Sequence, residues 1–256
     1  MTKKILLLGG TAEAREIARR LAQISGIDAL ASLAGATSSP SQYALPMRIG
    51  GFGGVEGLSS YLIENRIDLL VVALHPYADR MWQNALEAAR QTGVAMVVNH
   101  RAPWKPIDGD RWSSARDIQA AVARLQRRRS SNVFLPLGRK EISKFEAAPK
   151  HNYLVRAIEK IQPPLDLPNV TCLLARPPFS KEAEIALMLQ HRVDLMIVKN
   201  SGGVDTYAKM EAARELGVET IIIRRPYSVS VAHHDTVDET MSAIVAKLDH
   251  DTKRFA

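Results

Sequence analysis

Short apolar runs, each the length of a buried strand, alternate with helix-forming stretches along almost the whole chain. No other feature constrains the fold as tightly. Strand-like runs stand at Lys4–Leu8, Asp28–Leu33, Asp68–Ala73, Ala95–Asn99, Asn132–Leu135, Tyr153–Arg156, Thr171–Ala175, Asp194–Lys199 and Glu219–Ile223. They are continuously apolar, the pattern of strands covered by helices on both faces of a parallel sheet. Helices are expected at Ala12–Ile24, Val55–Asn65, Arg80–Thr92, Ser114–Arg128, Lys181–His191, Asp205–Leu216 and Val237–Leu248. The last carries a capping box, Thr236 with Glu239. The fold class is therefore α/β, doubly wound. So many strands exceed what one compact sheet in 256 residues usually holds, so two Rossmann-like parallel-sheet domains are expected. Their boundary is placed after the Arg127–Arg129 run, giving domains 1–129 and 130–256. The proline-rich stretch Gln162–Pro168 is the second candidate.

Composition narrows the function classes. A single cysteine, Cys172, excludes an internal disulfide and suits a reducing compartment. It lies in the apolar run Val170–Ala175 and is expected in the core. No apolar run is long enough to cross a bilayer. Met1–Lys4 leads into a strand and not into a signal peptide. A cytoplasmic protein with no membrane partner is expected. The formal net charge is +7. No helix-turn-helix, RNP or zinc pattern accompanies it, so nucleic acid is not the favoured partner. A polyanionic small substrate draws on the same charge through electrostatic steering. The Arg127–Arg129 run suits the negative end of a helix dipole.

Ligands of open α/β sheets lie beyond the carboxyl ends of the strands. After the first strand comes Gly9-Gly10-Thr11, then a helix. Bare backbone amides and the positive helix end favour an anion there, usually a phosphate. The three spaced glycines of the full dinucleotide fingerprint are absent, and Thr11 can cap the helix instead. A second glycine cluster, Gly50-Gly51-Phe52-Gly53-Gly54, suits close backbone approach to a flat or phosphorylated ligand. No acid follows the second strand; Ser32, Leu33, Thr37, Ser38 and Ser39 occupy that region. An acid there would favour an unphosphorylated ribose, so its absence leans towards NADP.

His75-Pro76-Tyr77 follows the Asp68–Ala73 strand, where an imidazole and a phenol can donate to a ligand or transfer a proton. Lys199-Asn200-Ser201-Gly202-Gly203, followed by Lys209, forms a second phosphate- or carboxylate-type cradle. Walker spacing is missing, which disfavours ATP hydrolysis. Arg176 and Arg224-Arg225 also follow strands and can hold carboxylates. Trp104 and Trp112 flank Lys105–Asp110 and are expected to pack that loop down. No metal set is evident: His233-His234-Asp235 lacks a matching partner.

Six motifs in order resemble the precorrin-6A reductase family (precorrin-6x reductases) of cobalamin biosynthesis. They are Gly9-Gly10-Thr11-x-Glu13-x-Arg15, Gly50-Gly51-Phe52-Gly53-Gly54-x-x-Gly57-Leu58, His75-Pro76-Tyr77-Ala78, Phe134-Leu135-x-Leu137-Gly138-Arg139, Lys199–Gly203 and Ala208-Lys209-x-x-Ala212-Ala213-Arg214. The resemblance implies two Rossmann-like domains with the active site in the cleft between them. It implies hydride transfer from NADPH to a double bond of the precorrin-6A macrocycle, giving precorrin-6B. Cofactor-binding residues would be Gly9, Gly10, Thr11, Glu13, Ser32, Gly50, Gly51, Phe52 and Gly53. Catalytic residues would be His75 and Tyr77. The polycarboxylate tetrapyrrole would lie against Lys199, Asn200, Ser201, Gly202, Gly203, Lys209 and Arg176. Transient contact with other cobalamin-pathway enzymes is the protein partnership it suggests. Some positions depart from the family: Leu74 stands where it usually has Thr, Ala36 where it often has Arg, and Pro177 where it has Gly. Three classes stay open: this reductase, or its cobalt-precorrin and NADH counterpart; a non-catalytic tetrapyrrole or nucleotide carrier; and a nucleic-acid-binding α/β protein.

Overall fold

A computed structural model describes residues 2–35, 42–226 and 231–253. The chain divides into two compact units. Unit 1 joins Met1–Ala102 to Tyr227–Ala256, and unit 2 is Pro103–Pro226. Both are parallel-sheet α/β units, as expected of the fold class. The expected division at 129/130 is corrected: the chain leaves the first sheet after Ala102 and returns to it after Pro226.

Unit 1 holds a five-stranded sheet in the order β3-β2-β1-β4-β5. The strands are β1 (Lys3–Leu8), β2 (Ile27–Leu33), β3 (Met47–Ile49), β4 (Leu69–Val72) and β5 (Ala95–Val98), and every pairing is parallel. The unbroken apolar runs are explained by two cores. Ile5, Leu7 and Val71 point to one, with α1 (Ala12–Leu21) and Met241 and Ile244 of α8 (Val237–Lys253). Leu6, Leu8, Leu70 and Val72 point to the other, with α2 (Val55–Glu64) and α3 (Asp79–Thr92). Successive side chains of a strand face opposite ways, so a strand between two helical layers must be apolar throughout. Helix α1 buries Ala14, Ile17, Ala18 and Leu21, one stripe at helical spacing.

The return segment is tied in by Asn99, which is buried. Its amide Nδ2 donates to Thr240 Oγ1 at 2.9 Å and to the Thr236 carbonyl at 3.2 Å. Asn99 also bridges His234 in parallel register. The expected capping box of α8 is formed: the Glu239 amide donates to Thr236 Oγ1, and the Thr236 amide donates back to Glu239 Oε2.

Unit 2 holds six parallel strands in the order β6-β11-β10-β7-β8-β9. They are β6 (Trp112–Ala115), β7 (Asn132–Leu135), β8 (Asn152–Ala157), β9 (Val170–Leu174), β10 (Leu195–Lys199) and β11 (Glu219–Ile223). Helices α6 (Lys181–Gln190) and α7 (Ala208–Glu215) cover one face through Met188, Met210 and Ala213. Trp104 and Trp112 pack against the same core. Helix α4 (Ile118–Arg127) begins later than Ser114, because Ser114 and Ala115 belong to β6 and Asp117 caps the helix. Helix α5 (Arg139–Ile142) and the 3₁₀ turn after it were not expected from the sequence. Cys172 is exposed on the edge strand β9, which corrects its expected place in the core. Among the described residues no helix is long and apolar enough to cross a membrane.

Candidate active site

The carboxyl ends of β1, β2, β3 and β4 gather most of the expected cofactor residues in unit 1. Gly9 and Gly10 form the turn from β1 into α1. Gly10 has φ +125°, a left-handed value that a Cβ disfavours. Thr11 caps α1: its Oγ1 accepts from the Ala14 amide at 3.1 Å and donates to the Ala73 carbonyl at 2.9 Å. The hydroxyl thus fastens the glycine turn to the end of β4 and is occupied by the protein itself. The amides of Ala12 and Glu13, at the open end of α1, have no acceptor among the described residues. The glycine turn therefore has the anion-seeking geometry of a helix N-terminus.

Sequence reasoning missed Tyr43. Its hydroxyl accepts from the Gly10 amide at 2.9 Å, and a Cβ on Gly9 would lie 2.9 Å from that oxygen. Burial pushes the phenol up, against the lowering pull of the Gly10 amide and Arg15. It is therefore neutral at neutral pH and keeps a proton to donate over the turn. Glu13 is ion-paired with Arg101, beyond β5, at 2.6 Å. Its carboxylate holds that arginine.

Ser32 is buried near the end of β2. Its hydroxyl accepts from Arg48 Nη1 at 3.0 Å. Arg48 also donates to the carbonyls of Gly50 and Gly51, and its guanidinium lies 3.9 Å from the Phe52 ring centroid. Phe52 meets Tyr61 edge-on at 5.2 Å, so its ring builds a platform under Arg48. The Phe52 carbonyl presses on α2 at Gly57, where a Cβ would come within 1.7 Å of it. Only glycine permits that approach. Thr37, Ser38, Ser39 and Ala36 lie outside the described residues.

His75 and Tyr77 follow β4, next to β1 in the sheet. The Tyr77 amide donates to His75 Nδ1 at 3.3 Å, so the neutral ring carries its proton on Nε2. Trp82 Nε1 donates to the His75 carbonyl at 3.2 Å and holds the turn. The two rings lie 5.7 Å apart.

In unit 2 the Lys199–Gly203 loop closes β10. Lys199 has an acidic partner that the sequence did not disclose, Glu141 of α5, at 2.5 Å. Asn200 is engaged on both sides of its amide: Oδ1 accepts from the Trp104 amide at 2.7 Å, and Nδ2 donates to the Trp104 carbonyl at 2.9 Å. Arg225 Nε donates to the Asn200 carbonyl at 2.9 Å and braces the loop. Ser201 is buried. The amides of Gly202 and Gly203 have no acceptor among the described residues. Lys209 is buried, with Nζ on the Thr206 carbonyl and 5.0 Å from the Trp104 ring. Arg176 is exposed beyond β9, three strands from β10. The structure does not bring it into the Lys199 loop. Nearer the middle of the sheet stands Arg156 of β8, buried, 2.7 Å from Glu184 and 3.7 Å above Phe179. Among the described residues no three His, Cys, Asp or Glu side chains form a metal set.

Two parallel, doubly wound units with an open helix N-terminus beyond the first strand define a two-unit Rossmann-like α/β protein. Residues 4–245 match a family model described as precorrin-6x reductase CbiJ/CobK. The chain belongs to that family. It is 44% identical over 241 residues to the precorrin-6A reductase of Sinorhizobium sp., covering 94% of this chain and 92% of that one. It is 42% identical to the precorrin-6A reductase of Rhodobacter capsulatus, covering 87% and 88%. The cobalt-precorrin-6A reductase of Priestia megaterium is 28% identical, covering 94% and 98%. A solved structure, CobK precorrin-6A reductase, matches with a TM-score of 0.91 at 39% identity, covering 96% of this chain and 97% of that one.

Proposed function

We propose that this protein is a precorrin-6A reductase of cobalamin biosynthesis that uses NADPH to reduce a double bond of the macrocycle, giving precorrin-6B. The observation that carries the reading is the glycine turn beyond β1, whose open α1 amides fit the diphosphate of a dinucleotide, in a chain that matches this reductase family over 4–245. When bound, the reduced nicotinamide supplies the hydride. The chain's own residues bind and orient. Gly9, Gly10 and the amides of Ala12 and Glu13 hold the diphosphate, with the Tyr43 O–H as a further donor. Gly50, Gly51 and Gly53 let the backbone approach the nucleoside. Ser32 and Phe52 act through Arg48, Thr11 by capping, and Glu13 by holding Arg101.

Reduction of the double bond also requires one proton. His75 Nε2 is its donor in this reading, with the Tyr77 hydroxyl as second candidate. In unit 2 the amides of Gly202 and Gly203 receive substrate carboxylates. Lys199 adds charge, and Arg176 reaches a carboxylate at another edge. Asn200, Ser201 and Lys209 hold that loop and its neighbours in place.

The metal-free macrocycle is favoured because the relatives at 44% and 42% identity are named for precorrin-6A, whereas two at 28% are named for cobalt-precorrin-6A. The deciding experiment adds precorrin-6A, or its cobalt form, to the full chain with NADPH or NADH and follows loss of nicotinamide absorbance. Consumption of NADPH with precorrin-6A is expected. Binding without consumption of either nucleotide would identify a carrier instead. In the same assay His75→Ala should lower kcat more than tenfold; a kcat within about threefold of wild type removes His75 as the proton donor.

A further inference from the structure

We propose that Arg48 is the residue that recognises the phosphomonoester on the adenosine ribose and so selects the phosphorylated dinucleotide. This inference rests on the reading that a nicotinamide dinucleotide occupies the strand ends of unit 1. Ser32 and Arg48 are register partners in the parallel pairing of β2 and β3. Their side chains therefore share one face of the sheet at the carboxyl end of β2. In dinucleotide-binding folds that is where the adenosine ribose is read: a carboxylate there accepts from an unmodified 2′-hydroxyl, whereas an arginine accommodates a 2′-phosphate. This chain presents an uncharged hydroxyl and a guanidinium.

The state of the guanidinium supports the assignment. Arg101, Lys199 and Arg156 each have a carboxylate within 2.7 Å. Arg48 has only neutral partners among the described residues: Ser32 Oγ, two carbonyls and an aromatic face. No carboxylate among the described residues balances its positive charge. Three of its five N–H groups are engaged by described residues, which leaves Nε–H and one Nη2–H without a partner among them. A guanidinium fixed flat on Phe52 loses little further freedom when it binds a phosphate, and its planar fork matches phosphate oxygens. Arg48 is only partly buried, so a ligand can reach it.

Equilibrium binding of NADPH and NADH to the full chain, read by nucleotide fluorescence, tests the assignment. Wild type should bind NADPH more tightly. Arg48→Gln should lower the NADPH-to-NADH affinity ratio on the order of 10- to 100-fold, the range for a hydrogen bond to a charged group, over and above any loss common to both nucleotides. A purely structural role would weaken both nucleotides alike, because the glycine loop would be disturbed for both. Arg48→Lys keeps the cation but loses the fork, and should give an intermediate ratio even if the glutamine variant does not fold. An unchanged NADPH-to-NADH ratio in the variants, or equal affinities in wild type, overturns the role of Arg48 and leaves the dinucleotide reading intact. Failure of wild type to bind either nucleotide overturns the dinucleotide reading and this inference with it.

Discussion

The Thr11 hydroxyl offers a direct test of what belongs to the scaffold and what belongs to the ligand. It caps α1 through the Ala14 amide and ties the turn to the Ala73 carbonyl, and the residue is buried. Thr11→Val keeps the shape and removes both bonds. Loss of a cap costs about 1 kcal/mol, and an orphaned buried carbonyl about 1–3 kcal/mol. The total is about 2–4 kcal/mol. Thr11→Ser keeps both bonds and loses one methyl, about 1 kcal/mol. The two variants should thus differ by about 2 kcal/mol. Urea unfolding can read this in unit 1 alone, because Trp82 is its only tryptophan and is fully buried. In a Trp104→Phe, Trp112→Phe background, with m near 2 kcal/mol/M, the midpoints of Val and Ser should lie roughly 1 M apart. Midpoints within about 0.3 M of each other would refute the structural role. A valine variant of unchanged midpoint whose NADPH affinity falls more than about tenfold would return the hydroxyl to the ligand.

Two further outcomes follow from unit 2. Asn200→Ala removes both bonds to Trp104 and should cost about 2–3 kcal/mol; faster hydrogen exchange at the Trp104 amide checks it, and unchanged exchange contradicts it. His151 is buried, its Nε2 lies 2.9 Å from the Leu125 carbonyl, and burial lowers its pKa. Below about pH 6.5 the unfolded chain takes up a proton that the folded chain refuses. Stability therefore falls as pH drops through that value, by at most about 1.4 kcal/mol per pH unit from this group. His151→Gln should flatten the pH dependence of the urea midpoint between pH 7 and pH 5, and an unaltered slope would contradict the assignment.

Buried strands were legible because a strand between two helical layers has no polar face. β3 and β6 were not. Met47-Arg48-Ile49 is too short and half-exposed, and β6 is short and half polar, with Ser114 and Ala115 reading as the start of a helix and Trp112 as the flank of a loop. Both lie at sheet edges, where the apolar signal is weakest. The division between units was misplaced because it depends on a return across more than a hundred residues, and Arg127–Arg129 looks like a linker only locally. Glycine turns at strand ends were legible, since glycine there has a backbone reason. The engagement of Asn200 with Trp104, Lys199 with Glu141 and Glu13 with Arg101 was not, because each partner is distant in sequence. Arg48 and Tyr43 left faint traces: an arginine two residues before a glycine cluster, and a lone aromatic in the sequence between β2 and β3.

The return of Tyr227–Ala256 to the first sheet constrains biosynthesis. Met241 and Ile244 complete the core that Ile5, Leu7 and Ile17 begin, yet they leave the ribosome only after all of unit 2. At ordinary translation rates the nascent first sheet waits on the order of ten seconds with that face covered by α1 alone. An expressed 1–102 fragment would lack α8's share of that cover for good and should aggregate, whereas a circular permutant that opens in unit 2 and puts α8 ahead of β1 would supply it from the outset.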